Sequence, residues 1–387
     1  MNPHRETFSI DENDRYSRLK LIGWWDQEKI STARVLVVGA GALGNEVIKN
    51  LCLLGFGHIH VIDFDTVQES NLTRSVLFRS QHAGQSKATV IAQTAGELNP
   101  DCNIVPIHGD VLTDIGLGLV RQQDVVIGCL DNREARLWVN RMCWKADTPW
   151  IDGGIQEING VTKVFVPGDG PCYECTMTEN DYRLISLRYS CPLLRQEDIQ
   201  QGKVPTAPTI ASIVGGLQVQ EALKLLHGLP TDEGSAMIFN GAANNFYKTK
   251  FMPKEDCLSH ETYDTVVECS LNNGNSLIEV HQWLNENGHA SDSKNLVLDR
   301  DFLVSLNCRT CDQSKEINKP LCVVGSSEGV CDSCSQPLSP EAVSQIDLES
   351  DLAKLPLKTI GIPDRDILKI EIRSESESQT LFLELNK

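Results

Sequence analysis

The sequence lacks any apolar run long enough to cross a bilayer, and it lacks a secretory leader. A membrane-spanning helix needs roughly 18 consecutive apolar residues, and no stretch of the chain approaches that length. The first residues, MNPHRETFSIDENDRYSR, are polar and acidic and contain no apolar core of the kind that signal peptides carry. We therefore expect a cytoplasmic protein with no membrane partner.

Positive charge is also in short supply. The 387 residues include 35 lysines and arginines against 53 aspartates and glutamates, which gives a formal net charge of -18 at pH 7. Such a field repels the phosphate backbone of nucleic acids, so we expect no nucleic-acid partner. The hydrophobic fraction of 41% is sufficient for a substantial core, and the chain length suggests two or three domains.

Cysteine, in contrast, is plentiful. Without a secretion signal, the 14 cysteines predict a reducing compartment, where thiols act as metal ligands or nucleophiles rather than in disulfides. A C-x-x-C pair and a distant C-x-x-H pair form one four-ligand set for zinc: Cys172, Cys175, Cys257 and His260. A C-x2-C-x19-C-x2-C set has the spacing of a zinc ribbon: Cys308, Cys311, Cys331 and Cys334. The alternatives are scattered buried thiols for the first set and redox use for the second.

The segment VLVVGAGALGNEVIKNLCLLGFGHIHVIDFD, residues 35–65, is typical of a strand, a glycine-rich turn, a helix and a second strand. Gly39, Gly41 and Gly44 follow the pattern G-x-G-x-x-G, which brings backbone N–H groups and a helix N-terminus to a phosphate. Asp63, at the end of the second strand, fits the acid that binds ribose hydroxyls. Taken alone, this motif favours a nicotinamide-dependent oxidoreductase.

Strands and helices continue to alternate after this segment. The pattern predicts an α/β fold with a doubly wound, Rossmann-like, mostly parallel sheet. After about residue 270 the composition changes, and a smaller α+β unit that contains the second cysteine set follows.

The loop after the second strand, DFDTVQESNLTRSVLF, gathers acids, an amide and a guanidinium. Asp65, Asn71 and Arg74 follow Asp63 within about a dozen residues. A nicotinamide site needs neither an amide nor a guanidinium here, whereas a triphosphate needs both. The sequence therefore predicts that the glycine turn binds ATP, although an ordinary polar loop is the alternative for these residues alone.

Two further residues fit a triphosphate site. Lys87, near the start of a helix in GQSKATV, supplies a point charge for phosphate. Asp131 follows a strand in CLDNREAR, where a carboxylate can hold an Mg²⁺ ion that keeps most of its waters. Taken alone, each of these residues is more often a surface residue.

Together these motifs resemble the ThiF/MoeB and ubiquitin-activating enzyme superfamily. The resemblance extends from Arg15 to about His260, through DRYSR, VLVVGAGALGNEV, VIDFDTVQESNLTR, GQSKA, CLDNREAR, CYEC and GGLQVQEALKLL. It implies ATP-dependent adenylation of the C-terminal glycine of a ubiquitin-like protein. With the change in composition near residue 270, we expect domains at 1–34 (a helical arm), 35–270 (an adenylation domain with structural zinc) and 271–387 (a zinc-ribbon-containing domain).

The resemblance also assigns roles to residues. Gly41 would approach the phosphates, with Gly39, Gly44 and Asp65 in the same nucleotide site, and Asp63 would hold the ribose. Asn71, Arg74 and Lys87 would bind the triphosphate, and Asp131 would bind Mg²⁺. Arg18 matches an arginine that reaches the ATP of the partner subunit in dimeric relatives, which implies a homodimer.

Cys191, in LRYSCPLLRQEDIQQGKVPTAP, is the candidate for a second step. Relatives of the ubiquitin branch place a catalytic cysteine near this position, and its thiolate takes the acyl group as a thioester. A partly buried loop thiol is the alternative. The C-terminal domain would then recruit a conjugating enzyme, or would simply pack on the core.

We favour an activating enzyme of the bacterial ubiquitin-like type with an extra C-terminal zinc ribbon, using ATP, Mg²⁺ and two structural Zn²⁺ ions. The nearest alternative is a sulfur-carrier adenylyltransferase of the molybdopterin or thiamine type, which shares only the first step. An NAD-dependent oxidoreductase leaves Arg74, Lys87 and Asp131 unexplained. A scaffold with a degenerate nucleotide fold does not account for the polar set.

Overall fold

The computed structural model describes residues 10–168, 170–186, 189–190, 194–195, 205–291, 293–374 and 378–386. The helices are α1 (Gln27–Thr32), α2 (Ala42–Leu54), α3 (Lys87–Leu98), α4 (Leu117–Arg121), α5 (Arg133–Lys145), α6 (Glu179–Ser186), α7 (Pro208–His227), α8 (Leu277–Glu286) and α9 (Leu357–Ile360). The first ten strands are β1 (Arg34–Val38), β2 (His58–Ile62), β3 (Asn103–Ile107), β4 (Val125–Gly128), β5 (Trp150–Gln156), β6 (Asn159–Phe165), β7 (Tyr189–Ser190), β8 (Leu194–Arg195), β9 (Ser235–Asn240) and β10 (Asn245–Lys250). The remaining strands are β11 (Val266–Glu268), β12 (Ser293–Asn307), β13 (Ser314–Pro320), β14 (Ser339–Asp347), β15 (Ile367–Arg373) and β16 (Ser378–Glu384).

The larger sheet has eight strands in the order β10-β9-β6-β5-β4-β1-β2-β3. Strands β3, β2, β1, β4 and β5 are parallel neighbours, and β6, β9 and β10 extend the sheet antiparallel. The parallel part has the strand order 3-2-1-4-5 of a Rossmann fold, with its switch point between β1 and β4. The predicted mostly parallel, doubly wound sheet is therefore confirmed.

Buried apolar side chains explain why β1 lies at the centre of this sheet. Residues 35–38 are Val, Leu, Val and Val, and all four are at most 2% exposed. Val35 and Val37 pack with α2 and α3 on one face, whereas Leu36 and Val38 pack with α5 on the other. A strand with helices on both faces has no polar side, which accounts for its continuous apolar sequence.

The second sheet has six strands in the order β11-β16-β15-β12-β13, with β14 also paired to β12. Its inner face packs against α8 and α9 around Leu277, Leu284, Leu357 and Ile370, which are all fully buried. The division of the chain at residues 34 and 270 stays a prediction.

Polar bonds join α4 to the second sheet and to the turn just before β15. The Leu117 N–H donates to Asp366 Oδ1 at 2.8 Å, and the Gly118 N–H donates to the Arg365 carbonyl at 2.8 Å. Arg121 forms an ion pair with Glu384 at 2.6 Å. The second sheet is therefore fastened to α4 through backbone bonds as well as side chains.

The cysteines of the described residues form no disulfide. Within the described residues, all 13 cysteines are free thiols, and Cys191 lies outside that part of the chain. Over the same residues, no helix is both long and apolar enough to span a membrane.

Candidate active site and metal centres

The glycine turn between β1 and α2 requires glycine at two positions for different reasons. Gly39 has a φ of +101°, and a Cβ there would lie 2.4 Å from the Cys129 carbonyl oxygen. A Cβ on Gly44 would lie 2.0 Å from the Gly39 carbonyl oxygen. At Gly41, the N-cap of α2, a Cβ would meet no heavy atom within 4 Å. The turn is therefore packed tightly against backbone atoms at Gly39 and Gly44. It is open at Gly41, where α2 begins.

Asp63 ties this turn to the end of β2. Its Oδ2 accepts a hydrogen bond from the Ala40 N–H at 2.7 Å, and its Oδ1 accepts one from the Asp65 N–H at 2.7 Å. Burial raises the pKa of Asp63, although Lys87 and the two N–H donors favour its charged form. Asp63 is therefore the residue that fixes the loop, and its contact with a ribose stays a prediction.

Lys87 lies beside this loop with its ammonium group largely buried. Its side chain is 11% exposed, and Nζ donates to Asp65 Oδ2 at 2.6 Å, whereas the Asp65 side chain is 53% exposed. The Lys87 N–H also donates to the Asp65 carbonyl at 3.0 Å. The lysine is thus held near the glycine turn by an acid that faces solvent.

Asn71 and Arg74 lie on one turn within the same loop, where the Arg74 N–H donates to the Asn71 carbonyl at 3.1 Å. Asn71 Oδ1 accepts a hydrogen bond from the Gln68 N–H at 3.0 Å. Arg74 Nη1 donates to the Ser70 carbonyl at 2.8 Å. A guanidinium group has five N–H donors, so this bond leaves Arg74 able to bind an anion.

Asp131 follows the end of β4 and is exposed. Asn132 caps α5 by accepting a hydrogen bond from the Ala135 N–H at 2.8 Å, and its Nδ2 donates to Asp131 Oδ1 at 3.3 Å. An exposed carboxylate at a strand end suits Mg²⁺, which keeps most of its waters when it binds protein. These contacts fit the ion, and the assignment itself stays a prediction.

The structure brings five of these residues to one edge of the sheet: Gly39, Asp63, Asp65, Lys87 and Asp131. Gly39, Asp63 and Asp131 follow the carboxyl ends of β1, β2 and β4, which are neighbouring parallel strands. In open α/β sheets, ligands bind outside these ends at the switch point. Asp65 and Lys87 join the same edge through Asp63.

Arg18 does not lie at this edge of its own chain. The arm is anchored on either side of Arg18 at the C-terminal end of α2, where the Tyr16 ring lies against Gly55 and Gln27 Nε2 donates to the Leu54 carbonyl at 3.1 Å. The glycine turn is at the other end of α2, about 20 Å away for a helix of this length. The arm therefore holds Arg18 away from the turn of its own chain.

The sequence analysis missed three polar residues that fix this edge, of which two are fully buried and one is largely buried. Arg136 binds the Asp152 carboxylate at 2.8 Å and the carbonyls of Leu130 and Gly153 at 2.6 and 3.0 Å. Gln218, fully buried on α7, donates to the Gly128 carbonyl at 2.8 Å. The third residue, Asn45, is fully buried in the first turns of α2. Gln218 left one signal, a polar residue between Leu217 and Val219, whereas Asn45 and Arg136 lie near other polar residues and left none.

The first predicted metal set is brought together in the structure. The Sγ atoms of Cys172 and Cys175 are 3.8 Å apart, those of Cys172 and Cys257 are 3.5 Å apart, and Cys175 Sγ is 3.4 Å from His260 Nε2. Zinc–sulfur bonds of about 2.3 Å in a tetrahedron place sulfurs about 3.8 Å apart. The Lys254 N–H donates to Cys175 Sγ at 3.3 Å, a bond of the kind that supports a metal-bound thiolate. The set therefore fits zinc.

The loops that carry this set are also joined by Glu174. Its carboxylate binds Arg141 at 2.9 Å and the Tyr182 hydroxyl at 2.8 Å, and it accepts a hydrogen bond from Ser259. The His260 ring stacks on Trp144 with ring centres 4.7 Å apart. These contacts position the two halves of the set, which are far apart in sequence.

The second predicted metal set also converges. The Sγ atoms of Cys308 and Cys334 are 3.6 Å apart, and all four ligand atoms of the set lie within 4.8 Å of one another. The Cys311 N–H donates to Cys308 Sγ at 3.4 Å. The set can hold one tetrahedral zinc ion. The zinc-ribbon character of the whole C-terminal unit stays a prediction.

The chain has a Rossmann-like α/β fold, and its loops bring together two sets of four residues that fit zinc. The model of the ThiF family matches residues 13–259, and the chain belongs to the ThiF family.

Curated relatives carry several different names. The chain is 42% identical to SUMO-activating enzyme subunit 2 of Dictyostelium discoideum over 165 residues, which are 42% of this chain and 25% of that protein. It is 40% identical to SUMO-activating enzyme subunit uba-2 of Caenorhabditis elegans over 149 residues, 38% of this chain and 26% of that protein. It is 32% identical to adenylyltransferase and sulfurtransferase MOCS3 of Sus scrofa over 271 residues, 69% of this chain and 57% of that protein. The chain thus spans between a quarter and three fifths of these relatives.

Solved structures support the fold. Crystal structures of Escherichia coli MccB with ATP and with succinimide superpose with TM-scores of 0.54 and 0.55, at 24% and 25% sequence identity. They cover 66% and 65% of this chain and 75% of MccB in both cases.

Zinc content tests both metal sets. We expect two zinc ions per chain, because each set supplies four ligands at tetrahedral spacing. Elemental analysis of wild type should give two, and Cys172→Ser and Cys308→Ser should each remove one. Cys322→Ser is the control, because Cys322 belongs to neither set. One ion or none in wild type would contradict one or both assignments.

Proposed function

We propose that this chain is an activating enzyme that uses ATP to adenylate the C-terminal glycine of a ubiquitin-like protein. One observation carries the proposal: an open glycine turn, a largely buried lysine and an exposed aspartate lie at a single switch-point edge, and the loop after β2 carries Arg74. Membership of the ThiF family supports it, as do relatives named for SUMO activation and for adenylyl transfer.

The chemistry of the first step explains this set of side chains. A carboxylate oxygen of the terminal glycine attacks the α-phosphorus of ATP, the bond to the bridging oxygen breaks, and pyrophosphate leaves. Carboxylate and triphosphate are both anions, so the site must neutralise charge that is present at the start and spreads in the transition state. Positioning matters more than a strong base, because no proton is transferred.

Each proposed residue has a part in that step. The N-terminus of α2 at Gly41 receives the α-phosphate, and Asp63 holds the turn and the ribose. Asn71, Arg74 and Lys87 bind the β- and γ-phosphates. An Mg²⁺ ion held by Asp131 would neutralise further charge on the triphosphate.

Asp65 is the natural partner of Lys87 while no nucleotide is bound. The ion pair keeps the buried ammonium group satisfied and directed at the loop. When the triphosphate arrives, its oxygens compete with the exposed Asp65 carboxylate for the same Nζ. Lys87 therefore needs only a small movement to bind phosphate, because its position is already set.

A second step would use Cys191. Its thiolate attacks the acyl carbon of the adenylate, the bond to AMP breaks, and AMP leaves as the thioester forms. The 271–387 unit would then bring a conjugating enzyme to the thioester. A homodimer would complete the site, because Arg18 is held away from the turn of its own chain and is available to a partner's ATP.

The second candidate function is a sulfur-carrier adenylyltransferase, which shares the first step and forms no conjugate. The similarity to MOCS3 favours it, since that relative covers more of this chain than the SUMO-activating subunits do. The extra cysteine set and the long polar segment after Cys191 favour conjugation. An oxidoreductase remains the weakest candidate, because it has no use for Arg74, Lys87 and Asp131.

Arg74→Ala tests the first step. We expect it to reduce pyrophosphate exchange into ATP at least about 100-fold, because it removes one charge-stabilising donor from the transition state. Exchange is measured with a panel of ubiquitin-like and sulfur-carrier proteins ending in Gly-Gly. Arg79→Ala is the matched control, because Arg79 lies on the same segment and likewise donates to backbone carbonyls, those of Val76 and Phe78. Equal exchange by the two variants would refute the role of Arg74.

Cys191→Ala separates the two candidate functions. With ATP and the acceptor from the same panel, wild type should form a covalent adduct that thiol reductant cleaves, and the variant should form none while its pyrophosphate exchange persists. Cys322→Ala controls for the loss of a thiol. An adduct that survives in Cys191→Ala would rule out this cysteine, and exchange without any adduct in wild type would favour the sulfur-carrier function.

A further inference from the structure

Asn45 joins two parts of the candidate nucleotide site. It lies on α2 and is fully buried. Its Nδ2 donates to the carbonyls of Ala40 and Gly41 at 3.0 and 2.9 Å. Its Oδ1 accepts a hydrogen bond from the Leu77 N–H at 2.9 Å. These partners fix the orientation of the amide, because the two carbonyls must face the NH₂ group and the N–H must face the oxygen.

The two ends of this amide contact two segments that are proposed to bind different phosphates of ATP. The carbonyls of Ala40 and Gly41 belong to the glycine turn, where the α-phosphate is proposed to bind. Leu77 is buried three residues after Arg74, on the segment that carries the β- and γ-phosphate ligands. One side chain therefore bridges the two halves of a triphosphate site.

We propose that Asn45 is a positioning residue that sets the spacing between the glycine turn and the segment around Arg74. The inference rests on the proposed function and assigns it a residue that touches no substrate atom. Triphosphate binding needs both halves at the correct separation, whereas binding of a monophosphate needs only the turn. Asn45 thus contributes to the preference for ATP over AMP.

The physical reason is that the covalent chain alone does not fix the distance between the glycine turn and the segment around Arg74. The turn and Leu77 are more than 30 residues apart, and the bonds of Asn45 are made where water cannot replace them. A buried amide that satisfies three backbone groups is strongly held, because each unmade bond would leave a buried polar group without a partner. The spacing that Asn45 imposes is therefore rigid before nucleotide arrives.

Two substitutions separate the role of the Asn45 NH₂ group from the role of its amide oxygen. Asn45→Ser keeps a hydroxyl that can donate to the carbonyl four residues back, Gly41, but it is too short to reach Leu77. Asn45→Asp keeps an oxygen for the Leu77 N–H but has no NH₂ for the carbonyls of the turn. The first variant should release the segment around Arg74, and the second should disturb the turn.

The measurement is calorimetric titration of the full-length protein with Mg·ATP and, separately, with AMP. We expect Asn45→Ser to weaken ATP at least about tenfold and AMP less than about threefold. We expect Asn45→Asp to weaken both ligands by similar factors, because both need the turn. Thr148→Ala is the control: Thr148 is buried and donates to the carbonyls of Val120 and Ala146, just before β5 begins and at the opposite end of that strand from the site. It should leave both affinities within about twofold.

The combination with Arg74→Ala shows whether Asn45 acts through that segment. If it does, adding Asn45→Ser to Arg74→Ala should weaken ATP by less than about threefold more, since the positioned group is already absent. A full tenfold further loss would overturn the inference, and so would equal losses of ATP and AMP in Asn45→Ser. Wild type that binds neither nucleotide would instead refute the proposed function, and this inference with it.

Discussion

The site depends on one constraint: backbone N–H groups of residues without side chains must lie close to the ends of three neighbouring strands. Gly39 and Gly44 meet it sterically, because any side chain there would enter the backbone of the turn or of the loop after β4. Asp63 meets it electrostatically, because its carboxylate accepts hydrogen bonds from the turn and from its own loop. With the turn fixed in this way, charged side chains from later parts of the chain can be placed around it.

Those side chains are held by local partners rather than left mobile. Lys87 is directed by Asp65, Arg74 by the Ser70 carbonyl, and Asp131 by the cap of α5. An anion that enters this edge therefore meets groups whose entropy is already reduced, which is the kind of preorganisation that makes electrostatic stabilisation effective. The two cysteine sets lie outside this edge. Each set joins two pairs of residues that are well separated in sequence.

The sequence was sufficient where the information is local. Residues 35–65 contain a strand, a glycine turn, a helix and an acid in direct succession. The spacing of metal ligands in the C-x-x-C pairs is likewise visible in the sequence. These features were therefore predicted. It was insufficient where the partner is remote. Gln218 binds Gly128 across 90 residues and Asn45 binds Leu77 across 32, and neither pairing leaves a pattern in the sequence. Docking of the second sheet through Asp366 and Arg365 was missed for the same reason.

The central claim is that positive groups gather around a triphosphate at the edge next to β1. A crystal structure of the chain with Mg·ATP tests it most directly. The account predicts that the α-phosphate lies at the N-terminus of α2 and that the Arg74 guanidinium and the Lys87 ammonium contact the outer phosphates. Phosphates bound elsewhere, with both groups directed into solvent, would contradict it.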